Sequence, residues 1–187
     1  MKMVQRCKWA EFNDLMKKYH DEEWGTPNHE DQRLFEFLIL EGAQAGLSWN
    51  TILQKRKNFR NAFDNFDYRK VAQYSEQKVE ELLNNTGIIR NKLKITAAIA
   101  NANALLKVQE EFGSFNKYIW KFVNSTPINN KFKTLEDLPS KTQLSEIISK
   151  DLKKRGFKFV GPTIMYAFMQ AIGMVNDHTS GCFRYQK

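Results

Sequence analysis

Apolar residues recur at helical spacing along most of the chain. Stripes with intervals of three or four residues occupy 34–40, 49–66, 79–83, 95–106, 115–123, 144–152 and 164–172. Each of these stripes predicts a helix with one buried face. No run of alternating residues predicts strands, and no repeat of long period is present. The pattern therefore predicts an all-α protein.

Polar residues and glycines mark the expected helix ends. The predicted N-caps are Asp31, Ser48, Asp67 and Ser75. Gly113 and Gly156 are expected to end helices, and Gly42 and Gly46 to break or kink the chain. Residues 127–141 are the least periodic part and are expected to form a long connection.

The composition narrows the class of protein. A chain of 187 residues with 42% hydrophobic and 13% aromatic residues can bury a core of its own. No apolar run approaches the roughly 20 residues that a membrane span needs. Residues 1–6 carry no apolar signal core, so we expect a cytoplasmic protein. The net charge of +8 favours a polyanionic partner, nucleic acid first.

The stretch 40–49, LEGAQAGLSW, places one acid and one tryptophan around small residues. Small residues let a ligand approach the backbone, Trp49 offers an aromatic face, and Glu41 offers a hydrogen-bond acceptor. In a closed fold Trp9, Tyr19 and Trp24 would lie nearby. The alternatives are that Glu41 is a solvated residue at a helix end and that the aromatic residues belong to the core.

Both cysteines and two of the three histidines lie in the end segments 7–20 and 178–182. Cys7, His20, His178 and Cys182 together form the ligand set of a closed, structural zinc site. Such a site would join the two ends of the chain. The alternative is two buried cysteines and two ordinary histidines. A disulfide is formally possible, but a cytoplasmic location argues against it.

The segment 144–172 has the form of a helix-hairpin-helix, with a glycine-bounded turn between two helices. Main-chain N–H groups at the start of the second helix can hold a DNA phosphate. The basic side chains around the turn are Lys153, Lys154, Arg155 and Lys158, and the glycines are Gly156 and Gly161. The alternative is an ordinary αα-hairpin with a basic surface.

Specific motifs extend this pattern over almost the whole chain. They are YHDEEWG at 19–25, LEGAQAGLSW at 40–49, GIIR at 87–90, KKRGFKFVG at 153–161, and VNDH at 175–178 followed by Gly181-Cys182. With these motifs the chain resembles the 3-methyladenine DNA glycosylase I family, a divergent branch of the helix-hairpin-helix DNA glycosylases. The resemblance implies one two-lobed, all-α glycosylase domain over 1–187, with a base pocket between the lobes.

The resemblance also implies roles for individual residues. It implies a structural zinc ion at Cys7, His20, His178 and Cys182. It implies a base pocket made by Glu41, Tyr19 and Trp49, with Trp9 and Trp24 in its wall. It implies DNA contacts at the hairpin residues Lys154, Arg155, Gly156, Lys158 and Gly161. Asn176 stands where the wider superfamily places a catalytic aspartate, which leaves Glu41 as the best-placed acid and puts a catalytic role of Asp177 in doubt.

The function implied is hydrolysis of the N-glycosidic bond of 3-methyladenine in alkylated double-stranded DNA, after the nucleotide is flipped out. No lysine takes an obvious Schiff-base position after the hairpin, so we expect a monofunctional enzyme that does not cleave the strand. Nothing in the sequence suggests more than a monomer. Two other classes remain open from the residues themselves. One is a DNA-binding module without activity, and the other is an enzyme for a small cationic metabolite.

Overall fold

The computed structural model describes residues 4–185, and it is built almost entirely of helices. The helices are α1 (Asp14–Glu22), α2 (Asp31–Gln44), α3 (Trp49–Ala62), α4 (Tyr68–Val71), α5 (Glu76–Asn84), α6 (Lys92–Phe112), α7 (Phe115–Trp120), α8 (Gln143–Lys154) and α9 (Pro162–Ala171). Short 3₁₀ turns cover Lys8–Phe12, Asp64–Phe66, Lys121–Val123 and Leu135–Asp137. The all-α prediction is confirmed.

Most helix ends lie where local chemistry predicts them. Ser48, Asp67 and Ser75 each accept a hydrogen bond from a main-chain N–H in the first turn that follows. Gly113 and Gly156 follow their helices with φ of +82° and +91°, a left-handed conformation that glycine adopts without a Cβ clash.

Asp31 does not cap its own helix, and that prediction is wrong. Asp31 is the first residue of α2, after Glu30 at the N-cap. Its carboxylate instead accepts the main-chain N–H groups of Phe115 and Asn116 at 2.9 and 2.7 Å, at the start of α7. The orphan N–H groups of one helix are thus satisfied by an acid 84 residues earlier in the chain.

Gly42 does not break the chain either, because α2 continues through it to Gln44. A Cβ at Gly42 would stand 3.2 Å from the side chain of Phe159, so the glycine allows the turn before α9 to approach α2 closely. Gly46, with a φ of +79°, is where the chain turns away from the helix. Glu41 therefore lies inside a helix.

Helix α2 lies at the centre of the fold. Every residue from Leu34 to Ala43 is buried, and α2 packs against α3, α6, α7 and α9. Its one buried ion-pair acid, Glu36, bonds Arg33 and Arg56 at 2.6 Å and Arg60 at 2.9 Å. Burial works to raise the pKa of Glu36, but the charges of Arg56 and Arg33 outweigh it and hold the pKa below its usual value.

The connection 127–141 is more ordered than its composition indicates. Ile128 and Asn129 pair in parallel with Val175 and Asn176, which gives a two-stranded sheet between the connection and the C-terminal segment. The 3₁₀ turn Leu135–Asp137 follows. This arrangement places Leu135 and Leu138 beside the N-terminal aromatic residues.

None of the helices in the described part of the chain has the length and apolar character that a membrane crossing requires. The prediction that the chain begins without a signal core concerns residues 1–6, of which 1–3 lie outside the described residues.

Candidate base cavity and metal cluster

One cavity of about 310 Å³ opens between the N-terminal segment, α2, α3 and α9. It brings together all five residues that the sequence assigns to a pocket: Trp9, Tyr19, Trp24, Glu41 and Trp49. The remaining lining residues are Met16, Gln44, Leu135, Leu138, Ala167 and Gln170. The volume suits a single aromatic ligand the size of a nucleobase.

The aromatic rings form a connected wall. The ring centroid of Tyr19 lies 5.3 Å from that of Trp49 and 6.3 Å from that of Trp9, and Trp9 meets Trp24 edge-on at 5.0 Å. The four side chains come from the N-terminal segment and the start of α3. Because each ring is held by the next, their faces are fixed before any ligand enters.

Three polar groups at this wall lack partners within residues 4–185. The carboxyl of Glu41 makes no hydrogen bond or ion pair, although the residue is only 5% exposed. The Tyr19 hydroxyl makes no hydrogen bond, and the indole N–H of Trp49 is buried without an acceptor. Buried polar groups are normally paired, so this unsatisfied set indicates a ligand site.

Burial raises the pKa of Glu41 to about 8, and no neighbouring cation offsets the effect. Without a counter-charge, the carboxyl is therefore largely neutral at pH 7. Burial, and then the charge of Glu41, raises the pKa of Tyr19 well above its usual value, so its hydroxyl keeps its proton. A cationic ligand would favour the charged form of Glu41 and draw its proton away.

Some of the residues that line the cavity are not predicted from the sequence. Gln44 follows Glu41 by three residues on α2, so the helical repeat could have placed both on one face. Gln170 is a polar residue near the end of the mostly apolar helix α9, and this is only a weak signal of a site. Leu135 and Leu138 reach the cavity from the connection, where no periodicity marked them.

The four predicted metal ligands lie together and are buried. The ligand atoms of Cys7, His20, His178 and Cys182 are all within 4.8 Å of one another. His178 Nδ1 lies 3.2 Å from His20 Nε2 and 3.7 Å from Cys7 Sγ, and Cys182 Sγ lies 3.3 Å from His20 Nε2. Atoms bound to zinc at about 2.0–2.3 Å in a tetrahedron stand about 3.3–3.8 Å apart. The cluster could bind a metal ion of that kind.

The outer nitrogens of both histidines have acceptors. His20 Nδ1 lies 2.8 Å from the carboxylate of Asp21, and His178 Nε2 lies 3.2 Å from the carbonyl of Trp24. Each contact fixes the tautomer that directs a lone pair into the cluster. The proximity of the two thiols lowers the pKa of Cys182 and raises that of Cys7, because one sulfur carries the charge and the other keeps its proton.

The cluster and the cavity share a wall. Trp9 meets the His20 ring edge-on at 5.3 Å, and Trp24 meets the His178 ring at 4.7 Å. The indoles that face the cavity on one side are thus supported on the other by the candidate ligands. The position of these indoles consequently depends on the cluster holding its geometry.

Asn176 and Asp177 both have structural partners. The Asn176 side chain accepts the main-chain N–H of His178 at 3.1 Å. Asp177 is buried, and its two oxygens accept hydrogen bonds from Asn130, Tyr166 and Gln170 at 2.6–2.7 Å. A carboxylate with three donors is poorly placed to activate water, in agreement with the doubt that the sequence raised about Asp177.

Helices α8 and α9 pack against each other across the turn 155–161. Lys154, Gly156 and Lys158 are exposed there, and Gly161 is the N-cap of α9. Arg155 is engaged elsewhere, because its guanidinium bonds Glu111 at 2.6 Å and Asp151 at 3.1 Å. The predicted DNA contact of Arg155 would have to compete with these two acids.

Comparison with known proteins places this site in context. The family model for methyladenine glycosylase matches residues 9–185. The chain is 49% identical over 182 residues to the DNA-3-methyladenine glycosylase 1 of Escherichia coli (strain K12), with 97% of each chain covered.

Solved structures agree with these relatives. A crystal structure of 3-methyladenine DNA glycosylase I superposes with a TM-score of 0.94 at 49% identity, covering 97% of this chain and all of the other. The Staphylococcus aureus 3-methyladenine DNA glycosylase I, whose structure describes 3-methyladenine recognition, superposes with a TM-score of 0.94 at 34% identity, covering 97% of each chain.

Proposed function

Because this chain belongs to the methyladenine glycosylase family, we propose that it hydrolyses the N-glycosidic bond of 3-methyladenine in alkylated double-stranded DNA. The observation that carries the proposal is the aromatic cavity with three unpartnered polar groups, from Glu41, Tyr19 and Trp49. A nucleobase swung out of the duplex would satisfy them.

Base recognition follows from the charge of the lesion. Methylation at N3 makes the purine cationic, and the faces of Tyr19 and Trp49 attract a cation by roughly 0.5–2 kcal/mol. Glu41 ionises as the base enters, offsets the positive charge and accepts a hydrogen bond from the adenine amino group. Normal adenine is neutral, so it would not draw the proton from Glu41 and would gain neither the charge pairing nor the cation–π attraction.

Bond cleavage needs little acid catalysis. The C1′–N9 bond breaks with its electron pair going to the purine, which leaves as neutral 3-methyladenine. The oxygen of a water molecule bonds to C1′ and that water releases one proton. No lysine is among the residues that line the cavity, which supports a monofunctional glycosylase that forms no Schiff base and leaves the strand intact.

DNA would approach along the turn 155–161. The start of α9 offers orphan N–H groups to a phosphate, and Lys154 and Lys158 add exposed positive charge. The groove beside Glu41 is also lined by Gly46, Leu47 and Thr163, so the start of α9 and the turn after α2 share one rim. We take this hairpin as the helix-hairpin-helix that the resemblance implies.

A structural zinc ion completes the proposal. It would be held by Cys7, His20, His178 and Cys182, and it supplies cross-linking of the chain ends without a part in bond cleavage. We further propose one glycosylase domain over 1–187, because the cavity draws its lining from segments as far apart as Trp9 and Gln170, and a monomer in the cytoplasm.

The direct test uses methylated duplex DNA and chromatography of the released bases. We expect free 3-methyladenine, with the strand cut only after alkali treatment. Release of no base would overturn the enzymatic function and leave a DNA-binding module. If the protein shows no salt-dependent affinity for DNA, an enzyme for a small cationic metabolite is favoured instead.

Charge removal at the turn gives a second prediction. The double variant Lys154→Ala, Lys158→Ala should lower affinity for undamaged and methylated duplex alike. The slope of log affinity against log salt should fall by about 2, one for each lost phosphate contact. Lys70→Ala, an exposed lysine on α4, serves as the control and should leave the slope unchanged. An unaltered slope in the double variant would place the DNA elsewhere.

A further inference from the structure

Lys94 joins α6 to the end of the helix that carries Glu41. Its ammonium donates to the carbonyls of Ala43 and Ala45, each at 2.8 Å. Ala43 lies in the last turn of α2 and Ala45 is its C-cap, where carbonyls lack intrahelical partners and carry the negative end of the helix dipole. The chain turns at Gly46 immediately afterwards, so Lys94 fixes the point at which it leaves the cavity.

The presence of a lysine at position 94 is not explained by the stability of its own helix, α6. Lys94 lies in the first turn of α6, where the positive end of the dipole disfavours a cation. Burial lowers its pKa further, and no carboxylate lies within ion-pair distance among residues 4–185. A lysine that is unfavourable for its own helix is explained by the segment it holds.

Asn101 joins the same helix to the turn before α9. The residue is 2% exposed, and its amide pairs with both main-chain groups of Lys158. Its oxygen accepts the Lys158 N–H at 2.7 Å, and its nitrogen donates to the Lys158 carbonyl at 3.1 Å. The next residue, Phe159, has a φ of +53° and packs against Gly42. The turn is therefore held in a conformation that it would not adopt alone.

Lys94 and Asn101 are seven residues apart and so lie on one face of α6. Between them, Ala98 and Phe159 close over a void of only about 20 Å³. One rigid helix face thus holds two main-chain turns: 43–46, which borders the base cavity, and 155–161, which carries the exposed Lys158.

We propose that Lys94 and Asn101 are positioning residues that set the distance between the DNA-binding turn and the base cavity. The inference rests on the proposed function. When the turn 155–161 holds the DNA backbone, the distance from this turn to Glu41 determines how far the flipped base enters the cavity. A displacement of about 1 Å can reduce the rate of a positioned reaction on the order of 100-fold. Binding of a free base does not involve the turn and should be insensitive to it.

The test compares Lys94→Met with Lys107→Met, an exposed lysine on the same helix. Three quantities are measured: single-turnover release of 3-methyladenine from duplex, affinity for free 3-methyladenine by tryptophan quenching, and affinity for undamaged duplex. We expect Lys94→Met to slow release about 10-fold or more, with both affinities within about threefold of wild type. Lys94→Arg should recover part of the rate, and Lys107→Met should equal wild type.

Asn101→Ala provides an independent variant and should show the same split between rate and affinity. Its effect combined with Lys94→Met should be less than the product of the single effects, because both act on one distance. An unchanged release rate in both variants would overturn the proposal. So would a fall in free-base affinity parallel to the rate, since Lys94 would then shape only the cavity. A wild-type protein that releases no base would instead refute the proposed function.

Discussion

Glu41→Gln is expected to slow release of 3-methyladenine by about 100-fold and, at neutral pH, to make the protein more stable. Glutamine keeps the shape and one acceptor oxygen but cannot become negative. The transition state therefore loses the charge that offsets the cationic base, and loss of one such electrostatic group costs about 10²–10³ in rate. Single-turnover excision from methylated duplex measures this. Unchanged release would remove Glu41 from catalysis and recognition.

The gain in stability follows from the raised pKa of Glu41. Its usual value is 4.5 and its folded value is about 8. Between these values the folded state holds a proton that the unfolded state releases, so the contribution of Glu41 to stability decreases as pH rises from 4.5 to 8. Glutamine has no such dependence. At pH 7 the variant should be more stable by about 1–3 kcal/mol, with little difference at pH 4.5.

Glu36→Gln is the matched control, since Glu36 lies on the same helix and is equally buried. Arg33, Arg56 and Arg60 surround it and its pKa is lowered. Its removal leaves the buried Arg56 with Glu23 as its one remaining carboxylate partner among residues 4–185 and takes away the contact of Arg60, so it should destabilise the protein. Urea unfolding of both variants at pH 5 and 7.5 gives the comparison. A loss of stability in Glu41→Gln would mean that the Glu41 carboxylate is ionised and paired in the folded protein.

Removal of the metal ion is expected to destabilise the folded protein strongly. Purified protein is expected to contain about one zinc ion per chain, and chelation should lower the free energy of unfolding by about 3 kcal/mol or more. Cys182→Ser should lower it similarly, and a chelator should then have no further effect on that variant. Metal analysis and thermal unfolding measure these outcomes. A chain without zinc that keeps full stability would contradict the metal site.

Loss of the ion should also weaken base binding. Trp9 and Trp24 rest against His20 and His178, so a collapsed cluster lets the indoles move away from the cavity. The affinity for free 3-methyladenine should fall with the zinc content and recover when zinc is added back. Base affinity that is independent of zinc would show that Trp9 and Trp24 keep their positions in the cavity wall without the metal ion.

The fold was largely predictable because its signals are local. Ser48, Ser75 and Gly113 act on the main chain of neighbouring residues, so their types alone indicate where helices begin and end. Asp31 and Gly42 were misassigned because their partners are distant in sequence. Asp31 serves a helix that starts at Phe115, and Gly42 makes room for Phe159. Composition near either residue carries no trace of these contacts.

The residues of the candidate site also divide into those with a local sequence signal and those whose role depends on distant partners. Glu41 and Trp49 stand out because an acid and an indole around small residues are unusual in a helical core. Lys94 has no sequence signal that distinguishes it from an exposed lysine, and its role is visible only when the carbonyls of Ala43 and Ala45 are placed beside it. The part of the cavity wall formed by Leu135 and Leu138 depends on the pairing of Ile128 with Val175, which is a long-range contact between two short segments.

The junction of the two chain ends has a consequence for synthesis on the ribosome. Cys7 and His20 are synthesised early, whereas His178 follows His20 by 158 residues. Until His178 and Cys182 have been added, the nascent chain carries the aromatic residues but only half of the cluster that supports Trp9 and Trp24. The support of the cavity wall is therefore completed late in synthesis, and a chain cut before His178 would keep half of the cluster.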